Sequence, residues 1–171
     1  SEFEAKAFGL PHQIEHAERY KIAHEYVQIT QGLWDSWEDD AFIHDKVNNK
    51  FFDTNKLHRV VHQGLKFHVQ GSLQAPRAPQ GYPVLVQAGS SNDGQDLAAA
   101  TAEVVFTAQQ TVEDARAFYT SLKSRLPAYG RTADDLKIMP GISPFVARSQ
   151  QEAQEKFEQL QNLIDPVLGL G

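Results

Sequence analysis

Residues 83–100, PVLVQAGSSNDGQDLAAA, pass from an apolar strand-like run to an alanine-rich helical pattern through a glycine and two serines. A helix that begins at the end of a parallel strand offers unpaired N–H groups and a partial positive charge to an anion. Gly89 permits close approach of the backbone, Ser90 and Ser91 add hydroxyl donors, and Gly94 keeps the next turn uncrowded. The pattern therefore suits a phosphate cradle. It also suits an ordinary turn in which Ser91 is the helix N-cap, and the residues alone leave both interpretations open.

A histidine and a tyrosine, His16 and Tyr20, stand four residues apart in a helical pattern. This spacing places an imidazole and a phenol on one helix face, where both can donate to a phosphate or to a ring edge. The alternative is a half-buried surface pair. His16 is also the one candidate for a catalytic acid or base, and the sequence identifies no other.

The stretch HRVVH has histidines at His58 and His62, a spacing that suits zinc on a helix. The glutamate of an HExxH motif is absent, the segment does not resemble a long helix, and no third ligand can be named. We therefore expect no metal site.

Three further features carry a structural and a functional interpretation each. Trp34 and Trp37 are expected to pack where a helix meets an insertion, or to line a substrate pocket. The run Glu38–Asp40 is expected to be a solvated acidic turn, or a contact with a partner domain. Met139–Gly141 is expected to bend the chain at the end of a strand, or to admit a close approach there.

Hydrophobic periodicity predicts a helix over residues 15–34 and, after a long irregular segment, alternating strands and helices. The irregular segment, residues 40–82, contains one predicted strand, Lys66–Leu73. Alternation of strands with helices predicts an α/β fold with a parallel sheet. The predicted elements are strands Val84–Gln87, Glu103–Thr107 and Leu136–Ile142, and helices Ser91–Thr101, Val112–Leu126 (begun by Thr111) and from Ser149 to beyond Leu160.

The composition excludes several classes of protein. The 171 residues carry a formal net charge of −6, which offers no basic face to nucleic acid. There is no cysteine, and no apolar run approaches the ~20 residues of a membrane span. We therefore expect a soluble cytoplasmic protein with no nucleic-acid or membrane partner.

Five blocks together resemble a known family, and they occur in the order ERY (18–20), LWDSWEDDAF (33–42), PVLVQAGSS (83–91), AEVVFT (102–107) and KIMPG (137–141). They resemble the flavin-dependent monooxygenases typified by the nitrilotriacetate, pristinamycin and dibenzothiophene-sulfone enzymes, a branch of the bacterial-luciferase-like family. The resemblance runs from about Phe8 to Leu160.

The resemblance implies a (β/α)8 TIM barrel that uses reduced FMN and O2 to oxygenate a small organic substrate. It implies that His16 and Tyr20 match the family's flavin-binding pair, and that Ser90 and Ser91, beside Gly89, match its phosphate-binding serines. A separate NAD(P)H-dependent flavin reductase and a homodimer or higher oligomer are implied as partners. A deazaflavin-dependent hydride transferase and a non-catalytic phosphate-binding module remain as alternatives.

The extent of the chain is smaller than the family's barrel. A TIM barrel takes ~250 residues, and nothing here matches the family's first four strands. We expect an internal part of a single TIM-barrel domain, with a helical segment (1–37), an insertion (38–82) and consecutive βα units (83–171). This part alone is not expected to be active.

Overall fold

The computed structural model of the chain describes residues 2–164. Within this range the chain forms five α-helices and seven β-strands. The helices are α1 (Glu2–Ala7), α2 (His16–Trp34), α3 (Asn92–Thr101), α4 (Val112–Arg125) and α5 (Gln150–Asn162). The strands are β1 (Phe42–Asp45), β2 (Lys50–Phe52), β3 (Val60–Gln63), β4 (His68–Gly71), β5 (Val86–Gln87), β6 (Val104–Thr107) and β7 (Lys137–Pro140). The last residues of the predicted βα region, 165–171, lie outside the described range.

The second half of the chain forms a parallel three-stranded sheet in the order β5-β6-β7, with α3 and α4 as the crossovers. Val86 pairs with Val104, and Val105 pairs with Ile138. The predicted strand from Val84 is wrong at its start, because the amide of Leu85 donates to the Glu103 carboxylate, 3.0 Å away, instead of joining the ladder. The predicted strand to Ile142 likewise ends early, at Pro140.

One face of this sheet is covered by α3 and α4. The core between them contains Val105 from the central strand, three alanines at the end of α3 and a large apolar face of α4. Small alanine side chains let α3 lie close to the sheet, and the larger side chains of α4 fill the remaining space. The buried cluster comprises Ala98, Ala99, Ala102, Val105, Phe118, Leu122, Leu126 and Leu136.

The opposite face of the sheet is largely uncovered within residues 2–164. Val86, Phe106 and Met139 stand on it in three neighbouring strands and are 63%, 48% and 57% exposed. Apolar side chains aligned in this way are typical of a face that another layer covers, because apolar area is stabilised by removal from water.

The predicted helix starts are confirmed by side-chain caps. The hydroxyls of Ser91, Thr111 and Ser149 each accept a hydrogen bond from the backbone N–H three residues later. At α5 the Glu152 carboxylate also accepts a hydrogen bond from the amide of Arg148, 3.0 Å away, and the amide of Glu152 donates to the Ser149 hydroxyl. Caps are local, which makes them readable from sequence.

The insertion was predicted to be irregular with one strand, Lys66–Leu73, and that strand is confirmed as β4. The other three strands were not predicted, and the insertion forms two antiparallel hairpins, β1-β2 and β3-β4. The first hairpin uses left-handed backbone at His44 (φ 53°) and Asn49 (φ 51°), with the Asp45 carboxylate accepting from the backbone N–H of Val47 and Asn48. Non-glycine residues in this conformation give little signal in a sequence.

The segment LWDSW attaches the end of the insertion to the end of α2. The buried Ser36 hydroxyl accepts from the amide of Leu73 (3.0 Å), and the Trp37 indole donates to the carbonyl of the same residue (2.7 Å). Asp35 forms an ion pair with Arg77. Three consecutive side chains therefore fix the segment that leads into β5.

A buried glutamate of α2 holds the second hairpin. The Glu25 carboxylate accepts from His62 Nε2 (2.9 Å) and from the amides of Phe67 (2.9 Å) and Lys66 (3.1 Å). A Cβ on Gly64 would lie 1.8 Å from Glu25 Oε1, so the turn admits the carboxylate only because residue 64 is glycine. Burial alone would raise the pKa of Glu25, but these hydrogen bonds hold it below its ordinary value of 4.5.

Replacement of this glutamate is expected to destabilise the fold in a pH-dependent way. A folded-state pKa below the unfolded value of 4.5 means that ionised Glu25 stabilises the fold fully above pH 4.5. This stabilisation is lost as the pH falls through the folded-state pKa. Glu25→Gln should therefore lower the free energy of unfolding at pH 7, and the difference from wild type should shrink in acid. Urea denaturation at a series of pH values measures it.

Glu38→Gln is the matched control, because Glu38 also contacts a histidine, His58 at 2.6 Å, but its side chain is half exposed. Exposed ion pairs contribute little to stability, so the control should change the unfolding free energy much less. An effect of Glu25→Gln that equals the control at every pH would contradict the role assigned to the buried pair.

Candidate functional site

The turn between β5 and α3 is built around two glycines that face each other. A Cβ on Gly94 would lie 2.8 Å from the Tyr20 hydroxyl oxygen and 3.1 Å from the Gly89 Cα. A Cβ on Gly89 would lie 3.1 Å from the same hydroxyl oxygen and 3.1 Å from the Gly94 Cα. No side chain fits at either position without displacing backbone, so the two glycines allow the strand end and the helix start to approach each other closely.

Two glutamines brace the turn from either side. Gln87, the last residue of β5, donates from Nε2 to the carbonyl of Gly94 at 2.7 Å. Gln95, which is buried, donates from Nε2 to the carbonyl of Ser90 at 2.9 Å. The Ser121 hydroxyl of α4 in turn donates to Gln95 Oε1 at 2.8 Å, so the braced turn is connected to the next helix.

The start of α3 presents hydrogen-bond donors. Ser91 Oγ accepts from the amide of Gly94 at 3.1 Å, and the amide of Gln95 donates to the carbonyl of Ser91. The N–H groups of Asn92 and Asp93 belong to the first turn, which has no intrahelical acceptors. A hydroxyl that accepts in a cap still has its own hydrogen to donate, and Ser90 is exposed beside it. Such a group of donors at a helix N-terminus can bind an anion.

The helix α2 brings its first turn to the same place. His16 Nδ1 lies 2.9 Å from Asp93 Oδ2, and the His16 and Tyr20 rings have centroids 4.9 Å apart at an angle of 49°. Asp93 is in the first turn of α3. The structure therefore brings together all five predicted site residues, His16, Tyr20, Gly89, Ser90 and Ser91, around the start of one helix.

The opposite side of this helix start is held by α4. Arg125 donates to the Asn92 side-chain oxygen at 2.8 Å and to the Asp96 carboxylate at 2.7 Å. The first turn of α3 is thus fixed between α2 and α4, with hydrogen bonds from each. A donor group held in this way does not have to reorganise when it binds a ligand.

A cavity of about 350 Å³ opens beside the turn, between α2 on one side and β5 and α3 on the other. Apolar groups make up most of its wall, and its polar side chains are those of Tyr20, Gln87 and Thr101. Its lining comprises Tyr20, Val27, Leu85, Val86, Gln87, Ala88, Gly89, Leu97, Thr101 and Ala102.

The other sequence candidates lie apart from this arrangement. His58 contacts Glu38, and His62 contacts Glu25, so the two histidines have different carboxylate partners. Among residues 2–164, no group of three or more histidine, aspartate or glutamate side chains could hold a metal ion. In the same range, no helix combines the length and the apolar character that crossing a bilayer requires.

The tryptophans and the Met139–Gly141 segment have the packing roles expected of them. Trp34 stacks on Tyr82 with ring centroids 5.7 Å apart, and Trp37 is 6% exposed. A Cβ on Gly141 would lie 2.7 Å from the Phe106 ring, so glycine admits a close approach at the end of β7.

Sequence reasoning missed four residues that build the site: Gln87, Asp93, Gln95 and Ser121. The two glutamines flank the glycines in QAGSSNDGQ, a signal that could have suggested bracing. Asp93 and Ser121 gave no signal, because their contacts depend on how α2 and α4 pack against α3.

Comparison with known proteins gives a consistent result over the whole chain. The family model described as luciferase-like monooxygenase matches residues 1–167. The N-acetyl-S-(2-succino)cysteine monooxygenase of Bacillus subtilis (strain 168) is 50% identical over 163 residues, which is 95% of this chain and 37% of that protein. Nitrilotriacetate monooxygenase component A of Aminobacter aminovorans is 47% identical over 98% of this chain and 37% of that protein.

Comparison with solved structures points to the same family. A riboflavin lyase crystallised with modified FMN and riboflavin superposes with a TM-score of 0.84, at 32% identity, over 91% of this chain and 35% of its own. A long-chain alkane monooxygenase superposes with a TM-score of 0.84, at 39% identity, over 92% of this chain and 37% of its own. The chain therefore spans little more than a third of the relatives it matches. The predicted fold class, part of a luciferase-like TIM barrel, is confirmed.

The close approach of the two glycines can be tested by adding one methyl group. Alanine in place of glycine normally stabilises a helix by about 0.5–1 kcal/mol. At Gly94 the new methyl group would meet the Tyr20 hydroxyl and the Gly89 backbone, and overpacking of this kind costs ~1–3 kcal/mol. Gly94→Ala should therefore lower the free energy of unfolding, measured by urea denaturation.

Gly32→Ala in α2 is the control, because its methyl group would meet a single side chain, Val60, at 3.3 Å from Cγ2 and 3.9 Å from Cγ1, and no backbone. Its effect should be smaller than that of Gly94→Ala. Equal effects, or a more stable Gly94→Ala protein, would contradict the crowding described here.

Proposed function

This chain belongs to the luciferase-like monooxygenase family, and from that premise we propose that it forms the phosphate-binding part of an FMN-dependent two-component monooxygenase. The observation that carries the proposal is the turn between β5 and α3. In it, Gly89, Ser90 and Ser91 lie at a helix N-terminus beside His16 and Tyr20.

The residues of this turn fit a phosphate monoester. The close packing of Gly89 against Gly94 holds the end of the strand at the start of α3, so that Ser90, Ser91 and the first N–H groups of the helix lie together. The donors are neutral hydroxyls and amides, together with the partial positive charge at the start of α3. These donors need no basic cluster, which agrees with a chain whose formal net charge is −6.

In the proposed complex each group has a distinct task. Ser90, Ser91 and the first N–H groups of α3 bind the phosphate of FMN, and His16 and Tyr20 donate to it from α2. Gly89 and Gly94 supply the close backbone approach, and Gln87 and Gln95 keep the turn rigid. Reduced FMN supplies the electrons that activate O2, and the protein contributes binding, orientation and exclusion of water.

We infer the partners and the substrate class from the relatives. One of them is named as component A of a nitrilotriacetate monooxygenase, which supports a separate NAD(P)H-dependent flavin reductase as the source of reduced FMN. Small organic molecules are the proposed substrates, since relatives are named for N-acetyl-S-(2-succino)cysteine, nitrilotriacetate and long-chain alkanes. A homodimer or higher oligomer in the cytoplasm completes the proposal.

The phosphate assignment predicts selective loss of affinity for FMN. Replacing both Ser90 and Ser91 by alanine should weaken FMN binding by ~1–3 kcal/mol, because hydrogen bonds to a charged group are removed. Riboflavin lacks the phosphate, so its affinity should barely change. Titration of the intact protein with each flavin, followed by flavin fluorescence, measures both.

Thr111→Ala is the matched control. Thr111 caps α4 as Ser91 caps α3, so both changes should cost about 1 kcal/mol of stability, but only the serine variant removes donors from the turn. Equal losses of FMN and riboflavin affinity in the double-serine variant, or an FMN loss of the same size in Thr111→Ala, would refute the assignment.

The monooxygenase activity itself predicts oxygenated product in a reductase-coupled assay. The intact protein, an NADH-dependent flavin reductase, FMN and O2 are incubated with nitrilotriacetate, N-acetyl-S-(2-succino)cysteine and an alkane in separate reactions. Product above the level given by reductase and FMN alone is expected with one of these substrate classes. O2 consumption at the free-flavin level, without product in any reaction, would favour a non-catalytic phosphate-binding module.

A further inference from the structure

The contact between His16 and Asp93 joins α2 to the first turn of α3. His16 Nδ1 lies 2.9 Å from Asp93 Oδ2, and the two side chains are 47% and 42% exposed. The histidine is the first residue of α2, and the aspartate is the second residue of α3. The pair thus lies beside the donors of the turn and not in the core.

The chemistry of the pair decides which imidazole nitrogen faces a ligand. An ionised carboxylate only accepts hydrogen bonds, so the nitrogen that contacts Asp93 must carry the hydrogen. Nδ1 is therefore occupied, and Nε2 is the atom left to interact with anything bound at the turn. The second hydrogen-bonding group of a functional histidine commonly fixes its tautomer in this way.

The aspartate also balances charge in the complex. When His16 donates from Nε2 to a phosphate oxygen, both ring nitrogens carry hydrogen and the ring is positive. That positive charge would lie at the start of α2 and against the start of α3, and both ends carry partial positive charge. The Asp93 carboxylate offsets this repulsion at hydrogen-bonding distance.

We propose that Asp93 is a positioning residue that acts through His16: it holds Nδ1–H, so that Nε2 faces the phosphate of the bound flavin. This inference rests on the function proposed above. The inference makes binding of an anionic ligand depend on a nearby carboxylate. It therefore predicts that removing Asp93 changes the affinity for FMN in the direction opposite to that expected from charge alone. Removal of a negative charge beside a phosphate should strengthen binding by Coulomb's law, whereas loss of the positioning contact should weaken it.

The test compares FMN and riboflavin binding to the intact protein in four forms: wild type, Asp93→Ala, Asp93→Asn and Glu113→Gln. Glu113 is the matched control, because it is an exposed carboxylate at the second position of α4, as Asp93 is at the second position of α3, and it lies outside the turn. Asp93→Ala should lower the affinity for FMN about 5- to 10-fold, because one hydrogen bond within a charged network is lost. Riboflavin affinity should change less than about twofold, because riboflavin lacks the phosphate.

Asp93→Asn should lose less FMN affinity than Asp93→Ala, since the amide oxygen still accepts from Nδ1. Glu113→Gln should leave the affinity for FMN unchanged. In a His16→Ala background, Asp93→Ala should cause no further loss, because the aspartate acts through the histidine.

Nitrogen-15 NMR of the imidazole provides a readout that does not need flavin and that a merely structural role would not move. In wild type and Asp93→Asn, the Nδ1 of His16 should carry hydrogen, and in Asp93→Ala the tautomer distribution should shift towards hydrogen on Nε2. The inference would be overturned if Asp93→Ala bound FMN as tightly as wild type or more tightly, or if the tautomer distribution of His16 did not change. It would also be overturned if Asp93→Ala lost as much FMN affinity in the His16→Ala background as in the wild-type background.

The outcomes separate this inference from the proposed function. If the serine variants lose FMN selectively and Asp93→Ala does not, the phosphate site stands and the role of Asp93 is wrong. If wild type binds FMN and riboflavin equally, the phosphate site is wrong, and the inference is overturned with it.

Discussion

The site depends on a steric constraint, the contact between the Gly89 and Gly94 backbones beneath the hydroxyl of Tyr20. A strand that ends in this way can enter a helix within four residues and still leave the first N–H groups of the helix accessible. Other contacts at the turn follow from that geometry. Gln87 reaches across the turn to the carbonyl of Gly94 only because no side chain separates them. The first turn of α2 can approach the start of α3 because the approaching backbone carries no Cβ.

The helix α2 is the common support for this turn and for the insertion. Near its start Tyr20 contacts the two glycines, further along Glu25 holds the β3-β4 hairpin, and after its end Ser36 and Trp37 hold the chain that leads into β5. Few side chains of the insertion are buried, so apolar burial contributes little to holding it in place. Hydrogen bonds to buried acceptors, together with aromatic packing around Trp37, take over this role.

Features that depend on residues close together in the sequence were predicted, and features that depend on distant residues were missed. The caps at Ser91, Thr111 and Ser149 and the handover from strand to helix are local, and the sequence predicted them. The hairpins of the insertion were missed, because the first depends on left-handed backbone at residues without glycine and the second on a glutamate that is 37 positions away from its histidine partner. The turn pattern pointed to Gly89, and resemblance to a family implied roles for His16, Tyr20, Ser90 and Ser91. Neither revealed Asp93, whose partner His16 is 77 positions away.

The uncovered face of the parallel sheet shows how the two parts of such a site differ. The proposed phosphate site uses backbone dipoles, hydroxyls and two helix starts, all of which come from residues 16–95 and are braced by α4 within this chain. Recognition of an apolar ring system requires walls that exclude water, and the exposed Val86, Phe106 and Met139 form only one such wall. Because the chain spans about 37% of its curated relatives, the facing walls are expected from strands that it does not contain. A polar anchor of this kind can be complete in a third of a barrel, whereas an apolar enclosure depends on closure of the whole sheet.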